Sequence, residues 1–402
     1  MSHFKTLYLY EMKKIMKRKL MWITLLICLV VLGMVVTSSL FGTYWVDGKE
    51  VDTHYHMYQV DMAYRKALSG RAVNQELLQE TMEAYGKIPR EEARYTLTEE
   101  YQTYARPYSE IFNLIRNFLG RNTDDIWDWS PNEEEFYAAR LEQLEANWRT
   151  MRLSESEKEF WRKKEAQIQK PITCFYQDGY IHALYTLNTA GICMLLFVAI
   201  SLSNLFAEEH VRRTDQMILS SAKGKTLAFW AKISAGISVA MLGAALMAVV
   251  VMGLALGIFG AAGFQAVLQF CYFDYSYPLT VGQACLLAYG IFILAAIVQA
   301  VFVMVLSEAL HNNLATLAVA TVLIIAGGVF GIPAQYRVPS QIWNSLPITY
   351  LNIQNIFDER TIPIFGHCFA SWQIVPVIYI LCSAVIAVIG RRIYLEYQVT
   401  GR

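Results

Sequence analysis

Long apolar stretches alternate with short polar ones along most of this chain, and the alternation predicts helices that cross a lipid bilayer. A bilayer core of about 30 Å needs roughly 20 apolar residues per helix. Six stretches meet this, over about 20–41, 181–206, 228–258, 281–306, 314–333 and 372–390. Inside lipid each must be helical, because only a helix satisfies its own backbone groups there. The predicted fold class is therefore an all-α membrane protein with six transmembrane helices and a large polar insertion between helices 1 and 2. The divisions are an elbow helix at 1–19, a first span at 20–45, an inserted domain at 46–178 and a second span at 179–206. A charged loop at 207–227 follows, then four further spans with their loops at 228–402.

The polar segments carry their own periodicity. Phe4, Leu7, Tyr8, Glu11, Ile15 and Met16 recur at helical spacing with lysines between, which predicts a basic amphipathic helix lying on a membrane surface. The same lysines also serve as a plain topology signal. The insertion reads as all-helical. Ser130-Pro131-Asn132-Glu133 offers a cap serine, a proline at the first helical position and a capping-box glutamate, and Ser154 with Glu157 repeats the logic before a helix that stops by Pro171. Helix is also expected near 52–69, 74–86 and 98–119, with no period-2 strand run. Gly260 and Gly263 are expected to end the third span, and residues 307–313 to form a tight hairpin. Residues 342–351, apolar but broken by Pro347, are too short to span and read as an interfacial or re-entrant element.

Composition agrees with a membrane chain: 55% of the 402 residues are hydrophobic and the mean hydropathy is +0.30. The zero net charge hides a partition. Residues 46–178 hold 25 acids and 18 bases, a net of −7, and the remainder holds 9 acids and 16 bases. Lys5, Lys13, Lys14, Lys17, Arg18 and Lys19 precede the first span. Arg212, Arg213, Lys223, Lys225 and Lys232 cluster at the charged loop, and Arg391, Arg392 and Arg402 follow the last span. The loops of the other face carry only Arg337 and Arg360. The positive-inside rule then puts both termini and the 207–227 loop in the cytoplasm and the acidic insertion outside. The first span has no small-residue cleavage site and reads as a retained anchor.

Enzyme-like motifs do not survive inspection. Gly224-Lys225-Thr226 lacks the earlier glycine of a phosphate-binding loop, since Leu219 stands there, and no strand precedes it. His54-Tyr55-His56 puts its imidazoles on different sides of a helix without a third ligand. No metal is predicted. Carboxylates are almost absent from the spans, and only His182 and Lys232 come close, near span ends, which argues against an ion path. Trp127 and Trp129 fit a small helical core better than an exposed aromatic lip. The seven cysteines form no metal-binding pattern. Cys271 and Cys368 leave a bridge between two outer loops open, but the odd external count argues against a disulfide-built domain.

The charged loop carries the most information. An island too small to be a domain, lying between apolar runs at 181–206 and 233–273 that hold no charged residue, suits a cytosolic elbow touching another protein. Three segments support a family resemblance: Glu11-Met12-Lys13-Lys14 in the basic elbow, Phe206-Ala207-Glu208-Glu209-His210 running on to Met217-Ile218-Leu219-Ser220, and Leu346-Pro347-Ile348-Thr349-Tyr350-Leu351 before the last span. With the overall topology, they resemble the ABC-2 type permeases of ATP-binding-cassette exporters. The chain departs from that family where Arg213-Thr214 replaces the usual Gly-Thr and where Ala222-Lys223 lacks a preceding proline.

The resemblance implies a coupling helix over 208–219 that docks on a separate ATPase subunit. Glu208, Glu209, Arg212, Arg213 and Asp215 would supply charge complementarity, and Met217, Ile218 and Leu219 the apolar anchor. Lys13, Lys14 and Lys17 would hold the elbow on the membrane surface. ATP and Mg would be bound by the partner, leaving this chain without a cofactor and not itself an enzyme. The implied assembly pairs two permeases, identical or different, with two ATPase copies in a bacterial plasma membrane, and involves no nucleic acid. Scarce charge in the spans points to export of an apolar or amphipathic cargo, a hydrophobic or antimicrobial peptide or a lipid-like molecule. A membrane-anchored sensor and a cation-extruding permease are the alternatives.

Overall fold

Arg18 takes an extended backbone conformation (φ −77°, ψ 115°), and this single break separates the surface helix from the first apolar one. A computed structural model describes residues 2–46, 49–89, 95–211 and 224–396. Helix α1 (Ser2–Met16) precedes Lys17 and Arg18, and α2 (Lys19–Thr37) follows. Next comes a strand pair, β1 (Thr43–Val46) antiparallel to β2 (Lys49–Thr53). The expected all-helical insertion is corrected here. Thr43-Tyr44-Trp45-Val46 is a β-branched and aromatic run that packs well on a pleated surface, and the Asp47-Gly48 dipeptide between the strands is a hairpin signal.

The rest of the insertion is helical. Helix α3 (His54–Leu68) starts at Thr53, whose hydroxyl accepts the His56 amide at 3.2 Å. Helix α4 (Gln75–Tyr85) is capped by Asn74. A π turn and a 3-10 turn over 101–108 lead into α5 (Ser109–Leu119), which Gly120 closes in the left-handed region at φ +61°. Helix α6 (Glu133–Thr150) is capped by Asn132 and not by Ser130. The Asn132 side chain reaches the Glu135 amide at 3.1 Å, while Glu133 exchanges hydrogen bonds with Gln75 on α4. Helix α7 (Glu155–Glu165) carries the Ser154/Glu157 capping box that its sequence predicts.

The long apolar helices come next: α8 (Asp178–Leu202), the single turn α9 (Ala207–Val211), α10 (Gly224–Phe259), α11 (Val281–Leu310) and α12 (Asn313–Val329). The loop after α12 holds α13 (Arg337–Asn344), two single-turn helices at Pro347–Tyr350 and Ile353–Ile356, and a second hairpin of β3 (Ile362–Ile364) and β4 (His367–Phe369). Helix α14 (Ser371–Glu396) ends the described chain. Among the described residues, five helices are long and apolar enough to cross a membrane, and the 17-residue α12 is a shorter apolar helix. This is the architecture of a helical multi-pass membrane protein.

Helix α8 is the hub. Its apolar window is 78% buried, against 22% for α14, and it packs against α2, α10 and α11. Two glycines of α10 allow close helix contact: a methyl group at Gly236 would strike Met304, and one at Gly243 would strike Phe197. Gly253 and Gly257 meet nothing. Outward faces remain apolar. Leu20, Ile23, Ile27, Val30 and Met34 form an exposed stripe on α2, and Val377, Leu381, Val385 and Val388 another on α14. Water would not tolerate so large an apolar surface, whereas lipid does.

The two ends of the helix bundle differ. One carries α1, α9 and the α11–α12 turn and is termed the terminal face. The other carries the insertion, which has its own core around Leu77, Tyr85, Phe112, Ile115, Phe118 and Phe136. Ile126 and Trp129 are buried in that core, as a packed reading of the tryptophans requires. Arg140, 1% exposed, joins α6 to α7 through Glu165 (3.0 Å) and donates to the Tyr275 carbonyl at 3.0 Å. Glu359 accepts from Trp148 Nε1 (2.6 Å) and the Ser276 amide (2.9 Å). Arg337 bonds Glu157 across the same seam. The insertion is thus bolted to the loops that join the spans. All seven cysteines are free, so the Cys271–Cys368 bridge is not formed; Cys271 Sγ instead accepts from Gln177 at 2.8 Å.

Candidate functional site

A lysine ammonium with no solvent around it needs carboxylates within reach, because its desolvation is otherwise uncompensated. Lys232, near the start of α10, has no exposed surface. Its Nζ lies 3.0 Å from Glu11 Oε1 on α1 and bonds Glu209 Oε1 on α9. Lys14 Nζ approaches the same Glu209 oxygen at 3.2 Å and Glu11 Oε2 at 3.7 Å. Two ammonium groups and two carboxylates thus form a neutral quartet, with the Phe206 ring 5.6 Å from Lys232 Nζ.

A second link runs beside the quartet. Arg18 Nη2 bonds Glu208 Oε2 at 2.8 Å, and Arg18 Nη1 donates to the Ser201 carbonyl at 3.3 Å near the end of α8. Tyr8 adds a neutral bond from its hydroxyl to Ser238 Oγ on α10 at 2.9 Å. On the far side of α9, the Ala207 amide donates to Ser307 Oγ (3.1 Å), and Ser307 Oγ donates to the Ser203 carbonyl (2.6 Å). The short α9 turn is therefore clamped between α1 and α10 on one side and α11 on the other. Its chemistry is that of a charge-balanced, partly buried set of contacts: the Lys232 side chain is wholly buried, while Lys14 and Arg18 keep part of theirs exposed.

The candidate residues divide three ways. Glu208, Glu209 and Lys14 come together in the clamp, with their charged groups engaged inside the chain. Lys13 on α1 and Lys17 just after it lie exposed, with Leu9, Tyr10 and Met16 of α1 also exposed. Arg212, Arg213, Asp215, Met217, Ile218 and Leu219 lie outside the described residues. Glu11, Arg18 and Lys232 take site roles that spacing alone did not assign, since each partner sits far away in sequence. Lys232 carried a weak signal, being a basic residue near the start of the apolar span at 228–258.

Toward the opposite face, α8 and two loops line a half-open cleft of about 400 Å³. Its lining includes Tyr185 and Asn188 of α8, Tyr272 and Tyr275, and Asn352 and Gln354. Aromatic rings and neutral amides make a surface for an amphipathic group. Nearby, Asp178 at the head of α8 receives Arg65 Nη1 at 2.7 Å and the Tyr58 hydroxyl at 3.2 Å, fastening α3 of the insertion to the same helix.

No family model matches the chain, and no curated protein matches it in sequence.

Proposed function

We propose that this chain is the membrane-spanning permease subunit of an ABC-2 type exporter, working as a pair of permeases with two copies of a separate ATPase. The observation that carries this reading is the clamp. Lys232, Glu11, Glu209, Lys14, Arg18 and Glu208 join the first turn of the charged loop to α1, α8 and α10. A displacement applied to the loop by a partner would be passed to α1 and to two long helices at once, which is what a power inlet must do. On this reading the terminal face is cytoplasmic, because the basic residues gather there. The chain then crosses six times. Helix α12, at 17 residues, spans about 26 Å, and modest bilayer thinning covers the shortfall from about 30 Å.

The cargo proposed is apolar or amphipathic, a hydrophobic peptide or lipid-like molecule. The 400 Å³ cleft with its tyrosine and amide lining supports this, since it offers rings and neutral polar groups and a single carboxylate, Asp274. Mild-detergent purification of the tagged chain from its own cells should bring down an ATP-binding-cassette ATPase. Replacing Met217 and Leu219 by Asp should release that ATPase while leaving the chain folded. If the wild-type chain carries no such ATPase, the transport reading fails and the membrane-anchored sensor takes its place.

A further inference from the structure

One cluster of ligating side chains lies on the α11 side of the clamp, apart from the lysine–glutamate quartet. His210 on α9, Glu308 near the end of α11 and His311 in the α11–α12 turn place two imidazoles and a carboxylate so that their ligating atoms lie within 4.8 Å of one another. We propose that these three side chains form a binding site for a divalent transition metal, with zinc the best chemical match.

The geometry is nearly assembled. His210 Nε2 lies 3.0 Å from Glu308 Oε2, and the His210 and His311 rings meet edge to face with centroids 4.1 Å apart. In a tetrahedral zinc site with bonds of about 2.0–2.1 Å, ligand atoms stand about 3.3 Å apart. The His210–Glu308 separation is already near that value, and the whole set lies within 4.8 Å, so closing on an ion asks for a shift of about 1.5 Å at most, with His311 on a turn and only partly buried. Glu308 and His311 are three residues apart, so a helix would place them on one face. His311 leaves the helix in the left-handed region at φ +51°, which histidine tolerates better than most residues.

A simple His210–Glu308 ion pair accounts for only part of this. Glu308 has no exposed surface, yet its Oε1 has no hydrogen-bond partner among the described residues. A buried carboxylate oxygen without a donor is costly, and a cation held by that carboxylate removes the cost. Two nitrogens and one carboxylate are the donor set of zinc sites that keep a fourth position for water. A bound metal would tie α9 to the α11–α12 turn and so stiffen the base of the charged loop. The inference does not depend on the transport reading.

The full chain, carrying a tag without histidines and stripped by a chelator in detergent, is titrated with Co²⁺ and then with competing Zn²⁺. The wild type should develop the visible absorption of tetrahedral cobalt at one equivalent, and zinc should displace it and raise the unfolding temperature. His311→Asn, which preserves the left-handed turn, and His210→Gln should each weaken binding by roughly tenfold or more and abolish the zinc-induced stabilisation. A wild type that binds neither ion overturns the proposal. So does either variant binding as tightly as the wild type.

Discussion

Lys232 and Glu359 are both fully buried, and each shows how a buried charge is handled at a different end of the molecule. Lys232 sits among carboxylates from two other elements, so removing it would leave Glu11 and Glu209 to share Lys14 alone. Glu359 has hydrogen-bond donors around it but no cation in contact, and burial pushes its carboxyl up to about 7 from an ordinary 4.5. Glu157 shows the opposite balance. Burial raises it too, but bonds from Arg337, Ser154 and Thr361 outweigh that and hold it at about 2. The signs differ accordingly. Folded Glu359 keeps a proton that the unfolded chain releases between pH 4.5 and 7, so its contribution falls as pH rises through that window. Glu157 stabilises fully above 4.5, and that stability is lost as pH falls toward 2. Glu359→Gln should therefore flatten the decline between pH 4.5 and 7, a change on the order of 3 kcal/mol. Thermal unfolding followed by tryptophan fluorescence measures it, since Trp148 and Trp161 both contact Glu359. An unchanged pH profile would show that another group sets the slope.

At the scale of elements, α1 is held by charge as well as by its apolar face. Its link to α9 through Arg18 and Glu208 is partly exposed, with 19% and 18% of the two side chains accessible, so it is worth only about 1 kcal/mol. Arg18→Glu and Glu208→Arg should each weaken the link, and the double exchange should recover part of the loss. A double-mutant cycle on thermal stability reads this, and strictly additive losses would show that the pair does not interact. Helix α7 of the insertion is legible from a local cap, Ser154 acting within three residues, whereas the segments near 52–69 and 74–86 favour helix without their caps, Thr53 and Asn74, being read. The first hairpin was not read, because Tyr44, Trp45 and Val46 follow an apolar span and merge with it in any hydropathy window. The cap at Asn132 was misplaced by two residues, because Gln75, 58 positions away, engages Glu133.

For the whole molecule, sidedness is the property with the widest consequences. The fold gathers α1, α9 and the α11–α12 turn at one end and the insertion at the other, so cysteines placed at opposite ends should label from opposite sides of the membrane. In cells, Lys17→Cys should react only after the membrane is permeabilised, and Glu142→Cys should react with an impermeant maleimide from outside. Labelling of both from the same side would refute the positive-inside assignment.

By itself the sequence determined the membrane class, the position of the insertion, the long apolar helices and the asymmetry of charge. These follow from composition and from periods of a few residues, which act locally along the chain. Only the tertiary structure decided where the charges go. Glu11 meets Lys232 across 221 residues, Lys14 meets Glu209 across 195, and His210 meets Glu308 across 98. No local spacing encodes such pairings. They arise because α8, α10 and α11 pack side by side and bring their ends to one face, where burial makes every unpaired charge costly.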